Sequence, residues 1–165
     1  MPLHDTKRDL VKPLYTPEQR KRRDNTIWTI VQGVLAPIQF VVFLISISLV
    51  TWYLTTGDGY DLANISILIK TFVLLSIMVT GAIWEKVVFG QYLLAPPFFW
   101  EDVVSFFVIA LHLAYVAAVM MNVLSPQQLM TLALIAYAAY IINAVQFVLK
   151  LRTARLHSRS ETQYA

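Results

Sequence analysis

The sequence predicts an all-α protein, an integral membrane four-helix bundle with both chain termini on the cytoplasmic side. Of its 165 residues, 58% are hydrophobic and only 14% are charged, whereas soluble domains are about half apolar and about a quarter charged. The charges are also clustered, because none stands between Asp24 and Asp58 or between Asp102 and Lys150. A helix on the surface of a soluble protein keeps a polar face, so these uncharged stretches indicate membrane spans.

Four segments are long enough to cross a bilayer, which takes about 20 mainly apolar residues. Turn and helix-breaking residues separate them: Gly57-Asp58-Gly59 follows the first, Pro96-Pro97 precedes the third, and Ser125-Pro126 suits the start of the fourth. The predicted spans are roughly 27–54, 62–88, 100–121 and 126–149. A basic segment, 1–26, precedes them and a basic tail, 151–165, follows.

The lysines and arginines outside the spans predict the orientation. Seven precede the first span, four follow the last, and the connection between the second and third carries Lys86, whereas the other two connections carry none. Four spans place all of these segments on one side, which the positive-inside rule makes cytoplasmic. They are Lys7, Arg8, Lys12, Arg20, Lys21, Arg22 and Arg23 at the start, and Lys150, Arg152, Arg155 and Arg159 at the end.

The residues just before the first span predict a short helix. Thr16-Pro17-Glu18-Gln19 has a capping threonine, a proline in the first turn and a glutamine that completes a capping box. The following run, Arg20 to Arg23, suits attraction to anionic lipid headgroups and is too short to indicate nucleic-acid binding. The chain has no cysteine, which excludes disulfides, thiolate metal sites and cysteine nucleophiles.

Ionisable groups inside spans are costly, and each is therefore a functional hypothesis. On the third span, Glu101, Ser105, Val108 and His112 fall on one helical stripe, and Asp102 begins the neighbouring stripe. Glu101 stands near the cytoplasmic interface, whereas His112 lies roughly 16 Å deeper along the helix.

Polar residues of the other spans share faces in the same way. Gln32, Gln39 and Ser46 recur at seven-residue intervals, and Asn143, Gln146 and Lys150 occupy one stripe of the fourth span. We expect one group to converge at the cytoplasmic mouth of the bundle and another to line its interior. The first comprises Gln32, Glu85, Glu101, Asp102 and Gln146, and the second comprises His112, Gln39, Asn143 and Lys70.

Each of these residues also has a purely structural interpretation. Gln39 and Asn143 can simply bond across helices, and Lys70 can either extend to the interface or pair with a buried acid. Glu101 and Asp102 suit a helix N-terminus, and His112 can be an ordinary core histidine. The remaining structural candidates are the interface anchors Trp28, Trp84 and Trp100 and the interface pair Glu85 and Lys86.

Four strings carry a resemblance to a known family: LYTPEQR at 14–20, QGVLAPIQF at 32–40, GAIWEKVVFG at 81–90 and FFWEDV at 98–103. Through them the chain resembles the 3-vinyl bacteriochlorophyllide hydratases of phototrophic bacteria, over about residues 14–156. The two tryptophan–glutamate strings that flank the central cytoplasmic connection are the most specific part. The resemblance implies that water adds across the 3-vinyl group of a chlorophyllide or bacteriochlorophyllide to give a 1-hydroxyethyl group.

The chemistry that this resemblance implies suits the polar residues. Protonation of the vinyl terminus leaves a cation next to the macrocycle, and water then attacks, so an acid, a base and nearby negative charge are required. Glu101 is our first candidate for the acid, and Asp102 or Glu85 is expected to activate water or stabilise the cation. His112 is expected to serve as a base or to bind the substrate's magnesium.

The remaining candidates are assigned to substrate binding. We expect aromatic side chains to stack on the flat ring and polar ones to contact its edge; the set is Trp84, Lys86, Phe98, Phe99, Trp100, Gln32, Gln39, Asn143 and Gln146. No cofactor or protein metal site is expected, because a set of ligands at metal-binding spacing is absent.

The implied partners are the pigment precursor, the lipid membrane and other pigment-synthesis enzymes, with no nucleic acid. The implied location is the bacterial inner membrane, either cytoplasmic or intracytoplasmic. Two other functions stay open at the level of the residues. One is a non-enzymatic pigment-binding or assembly protein with His112 on magnesium. The other is a proton-coupled component that uses Lys70, Glu85 and Glu101.

Overall fold

Five α-helices make up the part of the chain that the computed structural model describes, which is residues 13–163, with side chains to residue 156. No strand occurs within that range. The basic residues Lys7, Arg8, Lys12 and Arg159, which contribute to the charge argument, lie outside the described side chains. The helices are α1 (Pro17–Asn25), α2 (Ile27–Thr56), α3 (Tyr60–Phe89), α4 (Phe99–Met121) and α5 (Pro126–Gln163).

Four of these helices, α2 to α5, are long and apolar enough to cross a membrane. The all-α prediction and the number of membrane helices are therefore confirmed, and each predicted span falls within one of the four. Helix α5 continues beyond its predicted span through most of the basic tail. The cytoplasmic location of the termini stays a prediction from charge.

Helix α1 begins at the predicted capping box. The Gln19 backbone N–H donates to Thr16 Oγ1 at 3.2 Å, and the Thr16 N–H donates to Gln19 Oε1 at 2.9 Å. Arg22 Nη1 donates to the Val88 carbonyl near the end of α3 at 3.4 Å. Helix α1 is thereby attached to the end of α3, at the end of the bundle where the chain enters the first span.

The membrane helices form two antiparallel hairpins, α2–α3 and α4–α5, each packed along its length, with fewer contacts between the hairpins. The α2–α3 turn requires glycine at position 59, where φ is +82° and a Cβ would meet the Trp52 ring at 2.5 Å. Asn122 takes the left-handed conformation at the end of α4, and the Ser125 hydroxyl accepts from the Gln128 N–H as α5 begins. These short turns bring the polar stripes of consecutive helices face to face.

Candidate functional site

The stripe predicted on the third span is buried along its whole length. Glu101, Ser105, Val108 and His112 are each at most 8% exposed, and Asp102 is 3% exposed. The stripe therefore faces the interior of the bundle, as was expected for His112. Because helix α4 carries them over three turns, they lie at two different depths, near the α3–α4 loop and near the middle of the bundle.

A pair of carboxyl groups joins the end of α3 to the start of α4. The side chains of Glu85 and Asp102 lie close enough to interact electrostatically, and both are buried. The Leu94 N–H donates to Asp102 Oδ2 at 2.7 Å, and the Ala95 N–H donates to Glu85 Oε2 at 3.2 Å. Two consecutive backbone N–H groups of the connecting loop thus hold both acids.

The loop reaches this arrangement through an unusual backbone conformation. Leu94 has φ +58°, a left-handed conformation that is uncommon for a bulky residue. Successive N–H groups around such a residue point into one concavity and bind negative charge. Pro96 and Pro97 follow directly and cannot donate backbone hydrogen bonds, so the donors at this end of the loop are those of Leu94 and Ala95.

Glu101 has a different environment from that pair. Its Oε1 lies 3.2 Å from Lys150 Nζ on α5, and Lys150 Nζ also donates to the Pro97 carbonyl at 2.8 Å. The Asn143 amide donates to the Glu101 carbonyl at 2.9 Å, and Ser105 Oγ lies 3.1 Å from Asn143 Oδ1. Glu101 is therefore a carboxylate with a cation partner, and it is near enough to Asp102 to repel a negative charge there.

Two buried acceptors of this region lack a donor among the described residues. They are Glu101 Oε2 and Gln146 Oε1. Gln146 lies between Asn143 and Lys150 on the α5 stripe that contacts Glu101. A buried acceptor without a donor is costly, so each of these oxygens is available to a hydroxylic ligand.

An aromatic cluster lies beside the acids and beneath α1. Tyr15 stacks on Phe89 with ring centroids 5.8 Å apart, and Phe98 contacts Trp84, Phe89 and Phe147. The Trp84 indole donates to Thr29 Oγ1 at 2.9 Å, which ties α3 to α2. Burial raises the pKa of the Tyr15 phenol, and its hydroxyl has no partner among the described side chains.

The aromatic side chains that were expected to stack on the substrate's ring do not all lie together. Phe98 and Trp84 share the aromatic cluster, whereas Trp100 is 69% exposed and Phe99 is 41% exposed on the outer face of α4. These two contact each other edge to face, outside the aromatic cluster. Lys86 is also outside the cluster, because its Nζ donates to the Gly90 carbonyl and lies over the Tyr92 ring.

Two amides occupy different depths from those expected. Gln32, predicted at the acid cluster, instead donates to Thr80 Oγ1 at 2.7 Å in the α2–α3 contact. Asn143, expected alongside His112, instead bonds next to Glu101. The cause is helix register, since a span bound uncertain by a few residues shifts the facing partner by a turn. Gln39 is buried, as expected.

The middle of the bundle holds a second group of polar side chains. Lys70 is completely buried, and its Nζ has no hydrogen-bond partner in the described structure; it lies 3.6 Å from the centroid of the Tyr140 ring. Lys70 thus neither extends to the interface nor pairs with a buried acid, which corrects both expectations. Nearby, Ser46 Oγ lies 2.5 Å from the Tyr137 hydroxyl and 2.7 Å from Ser66 Oγ.

Sequence reasoning assigned no site role to several groups that the structure brings in. Lys150 was placed on the stripe but not paired with Glu101, and the Leu94 and Ala95 N–H groups carry no side-chain signal at all.

Within the described residues, no three His, Asp or Glu side chains are arranged to hold a metal ion.

With this geometry in hand, the comparisons with known proteins identify the family. The model of the 2-vinyl bacteriochlorophyllide hydratase family matches residues 15–153. The 2-vinyl and 3-vinyl names denote the same substituent under two numbering conventions for the macrocycle. No solved structure matches the chain.

Two curated relatives carry that name. The 2-vinyl bacteriochlorophyllide hydratase of Cereibacter sphaeroides is 67% identical over 144 residues, covering 87% of this chain and 89% of the relative. The enzyme of the same name from Rhodobacter capsulatus is 62% identical over 150 residues, covering 91% of this chain and 87% of the relative. The family match spans the acid pair, the aromatic cluster and most of the four membrane helices. The chain belongs to the 2-vinyl bacteriochlorophyllide hydratase family.

Proposed function

We infer that this chain is a hydro-lyase that adds water across the vinyl group of a bacteriochlorophyllide or chlorophyllide during bacteriochlorophyll biosynthesis. The family membership supports the reaction, and the buried acids at the α3–α4 end support its location. In the reaction a proton adds to the terminal vinyl carbon, which becomes a methyl group. Water then bonds to the carbon next to the ring and releases a proton, so the product carries a 1-hydroxyethyl group.

We propose that the Glu85–Asp102 pair donates the proton. One proton is shared between two carboxyl groups in contact, because two negative charges at that separation repel strongly. The Leu94 and Ala95 N–H groups stabilise the carboxylate that remains after transfer, as hydrogen bonds to a charged acceptor are stronger than neutral ones. The observation that carries the proposal is this pair of neighbouring buried acids, each of which accepts a hydrogen bond from a consecutive loop N–H.

Glu101 then takes the complementary role. Its ion pair with Lys150 supports the ionised form, which stabilises a nearby cation and accepts a proton from water. Its free Oε2 and Gln146 Oε1 provide two acceptors for the water that attacks. This assignment exchanges the roles expected from sequence, where Glu101 was the first candidate for the acid, because sequence does not reveal which acid meets the lysine.

His112 does not fit the same reaction centre. It stands eleven residues beyond Glu101 on α4, a rise of roughly 16 Å, whereas the magnesium and the vinyl group belong to one ring. A pose with His112 on magnesium therefore keeps the vinyl group away from the acids. That pose fits only the competing pigment-binding function, which the family membership does not favour.

We further propose that the enzyme lies in a bacterial cytoplasmic or intracytoplasmic membrane, with the acid pair at the cytoplasmic face. The basic residues of α1 and of the end of α5 lie at that end of the bundle, where they attract anionic lipid. A pigment precursor could reach this face from neighbouring enzymes of the same synthesis. No cofactor is needed for the addition of water, since the substrate brings its own magnesium.

The role of Glu101 is tested by replacing it with glutamine in the purified, detergent-solubilised protein. We expect Glu101→Gln to lower the initial hydration rate by about 100- to 10,000-fold, the usual range for acid–base groups. The product is identified by mass spectrometry as the vinyl pigment plus one water. Asp61→Asn is the matched control, because Asp61 is an exposed acid at the opposite end of α3. Near-normal turnover by a folded Glu101→Gln protein contradicts the assignment.

A further inference from the structure

Lys70 is a buried lysine with no counter-charge among the described residues. It is 0% exposed on α3, and its Nζ has neither an acid nor a hydrogen-bond acceptor among the described residues. Burying an ammonium costs several kcal/mol unless it is paired. A Tyr140 ring 3.6 Å away offsets part of that cost through a cation–π contact, but a ring face supplies no hydrogen-bond acceptor. The structure therefore holds an intramembrane donor without an acceptor.

His112 leaves a second polar atom free at the same depth. Its Nδ1 lies 2.8 Å from the Val108 carbonyl, and a carbonyl only accepts, so Nδ1 carries the proton. In the neutral ring Nε2 is then an acceptor, and it is buried without a partner. Lys70 is close enough to His112 to act on it electrostatically. The unpartnered donor, Lys70 Nζ, and the unpartnered acceptor, His112 Nε2, therefore belong to the same buried cluster of polar side chains.

An apolar groove begins at the other side of Tyr140. It has a volume of about 240 Å³ and lies between the two hairpins, with Phe40 of α2 on one wall and the α5 residues Tyr140, Ile141, Ala144, Val145, Val148 and Leu149 on the other. Val145, Val148 and Leu149 are at least half exposed, so the groove opens toward lipid. Tyr140 thus lines this groove and also contacts the Lys70 side chain.

We propose that Lys70 receives the carboxylate of the pigment precursor, whose flat apolar ring occupies the groove between the hairpins. This inference rests on the proposed function for the identity of the ligand. A chlorophyllide is the free acid of its pigment, with a propionate where the mature pigment has a long-chain ester. The ligand has one carboxylate on a flat, apolar ring system. The protein offers one lysine without a described partner, Lys70, next to one apolar groove. Lys70 thus becomes the residue that selects the free acid over the ester.

The length of the groove relates this pose to the acid pair. From Tyr140 to Leu149 the helix rises roughly 14 Å, and Leu149 directly precedes Lys150, the partner of Glu101. A ligand with its carboxylate at Lys70 and its ring in the groove therefore extends with its ring edge toward the depth of Glu101. Because the two hairpins contact each other less than their own helices do, that edge can pass between α2 and α5 toward the acids.

The test compares binding of 3-vinyl chlorophyllide with binding of its methyl ester, measured from the absorbance shift in lipid nanodiscs. The protein carries Glu101→Gln in every sample to slow turnover. Mass spectrometry of the recovered pigment checks that the vinyl form is the one bound, so a wrong catalytic assignment is detected separately. We expect the free acid to bind about 10- to 100-fold more tightly than the ester. Lys70→Met should bind both forms with the weak affinity of the ester, and Lys70→Arg should keep the preference.

Three results overturn the proposal. If the protein with Lys70 intact binds the acid and the ester with equal affinity, Lys70 does not contact the carboxylate. This comparison needs no variant at position 70. A folded Lys70→Met protein that still prefers the acid assigns the contact to another residue. If palmitate displaces the pigment at a comparable concentration, and the free acid binds no more tightly than the methyl ester, the groove is a fatty-acid site.

Discussion

At the scale of single residues, Leu94 explains how two acids come to share one site. Its left-handed backbone turns consecutive N–H groups toward Asp102 and Glu85. The sequence predicted that both acids lie near the cytoplasmic mouth, because helical spacing places them there. It did not predict the loop donors, since the conformation of Leu94 depends on the tertiary contacts that hold the loop.

Leu94 therefore gives a prediction about backbone strain. Glycine adopts φ near +58° freely, so Leu94→Gly should keep most of the hydration activity. Leu94→Val should lower both activity and stability, the latter by about 1–3 kcal/mol, because a β-branched residue is poorly tolerated there. Initial rates and thermal unfolding of the detergent-solubilised proteins check this. Equal activity and stability of the two variants would rule out a role for the left-handed turn.

At the scale of elements, helix ends were predictable because capping is a local interaction. The capping box of α1 involves Thr16 and Gln19 alone, and the start of α5 involves Ser125 and Gln128. It was harder to predict which residues of two neighbouring helices lie opposite each other. Gln32 and Asn143 lie opposite other partners than those expected, because interhelical register depends on loop lengths and packing that a single span does not encode.

The capping box makes a prediction about α1. Thr16→Ala removes the acceptor for the Gln19 N–H and should destabilise the helix by about 1 kcal/mol. Because Tyr15 and Arg22 attach this segment to the end of α3, α1 should then be cleaved faster by trypsin at its arginines, while the membrane helices stay intact. Thr16→Ser is the control, as serine caps equally well. Identical cleavage rates for the two variants would contradict the inferred attachment.

At the scale of the whole molecule, composition and the clustering of charges were sufficient to predict the number of membrane helices. The burial of whole stripes also followed from periodicity. Two features could not be predicted, because both depend on how the two hairpins meet: the pairing of Glu101 with Lys150, and the lack of an acid partner for Lys70 among the described residues. The result is a bundle with its acids at one end and an unpaired cation at mid-depth.

The orientation of the bundle is directly measurable because the chain has no cysteine. A membrane-impermeant maleimide applied to intact spheroplasts should label Asp58→Cys, in the α2–α3 turn, and should not label Glu18→Cys, on α1. Disruption of the membrane should expose both positions. The positive charges around α1 predict this pattern, and labelling of Glu18→Cys alone in intact spheroplasts would reverse the topology.

The central claim is that the Glu85–Asp102 pair delivers the proton that becomes part of the product's methyl group. Its most direct test is a single turnover of the vinyl substrate in D₂O by the wild-type protein and by the folded Glu85→Gln/Asp102→Asn double variant, with Asp61→Asn as control. We predict one deuterium in the methyl group of the wild-type and control products, and essentially no product from the double variant. Deuterated product formed by the double variant at the wild-type rate would contradict the account.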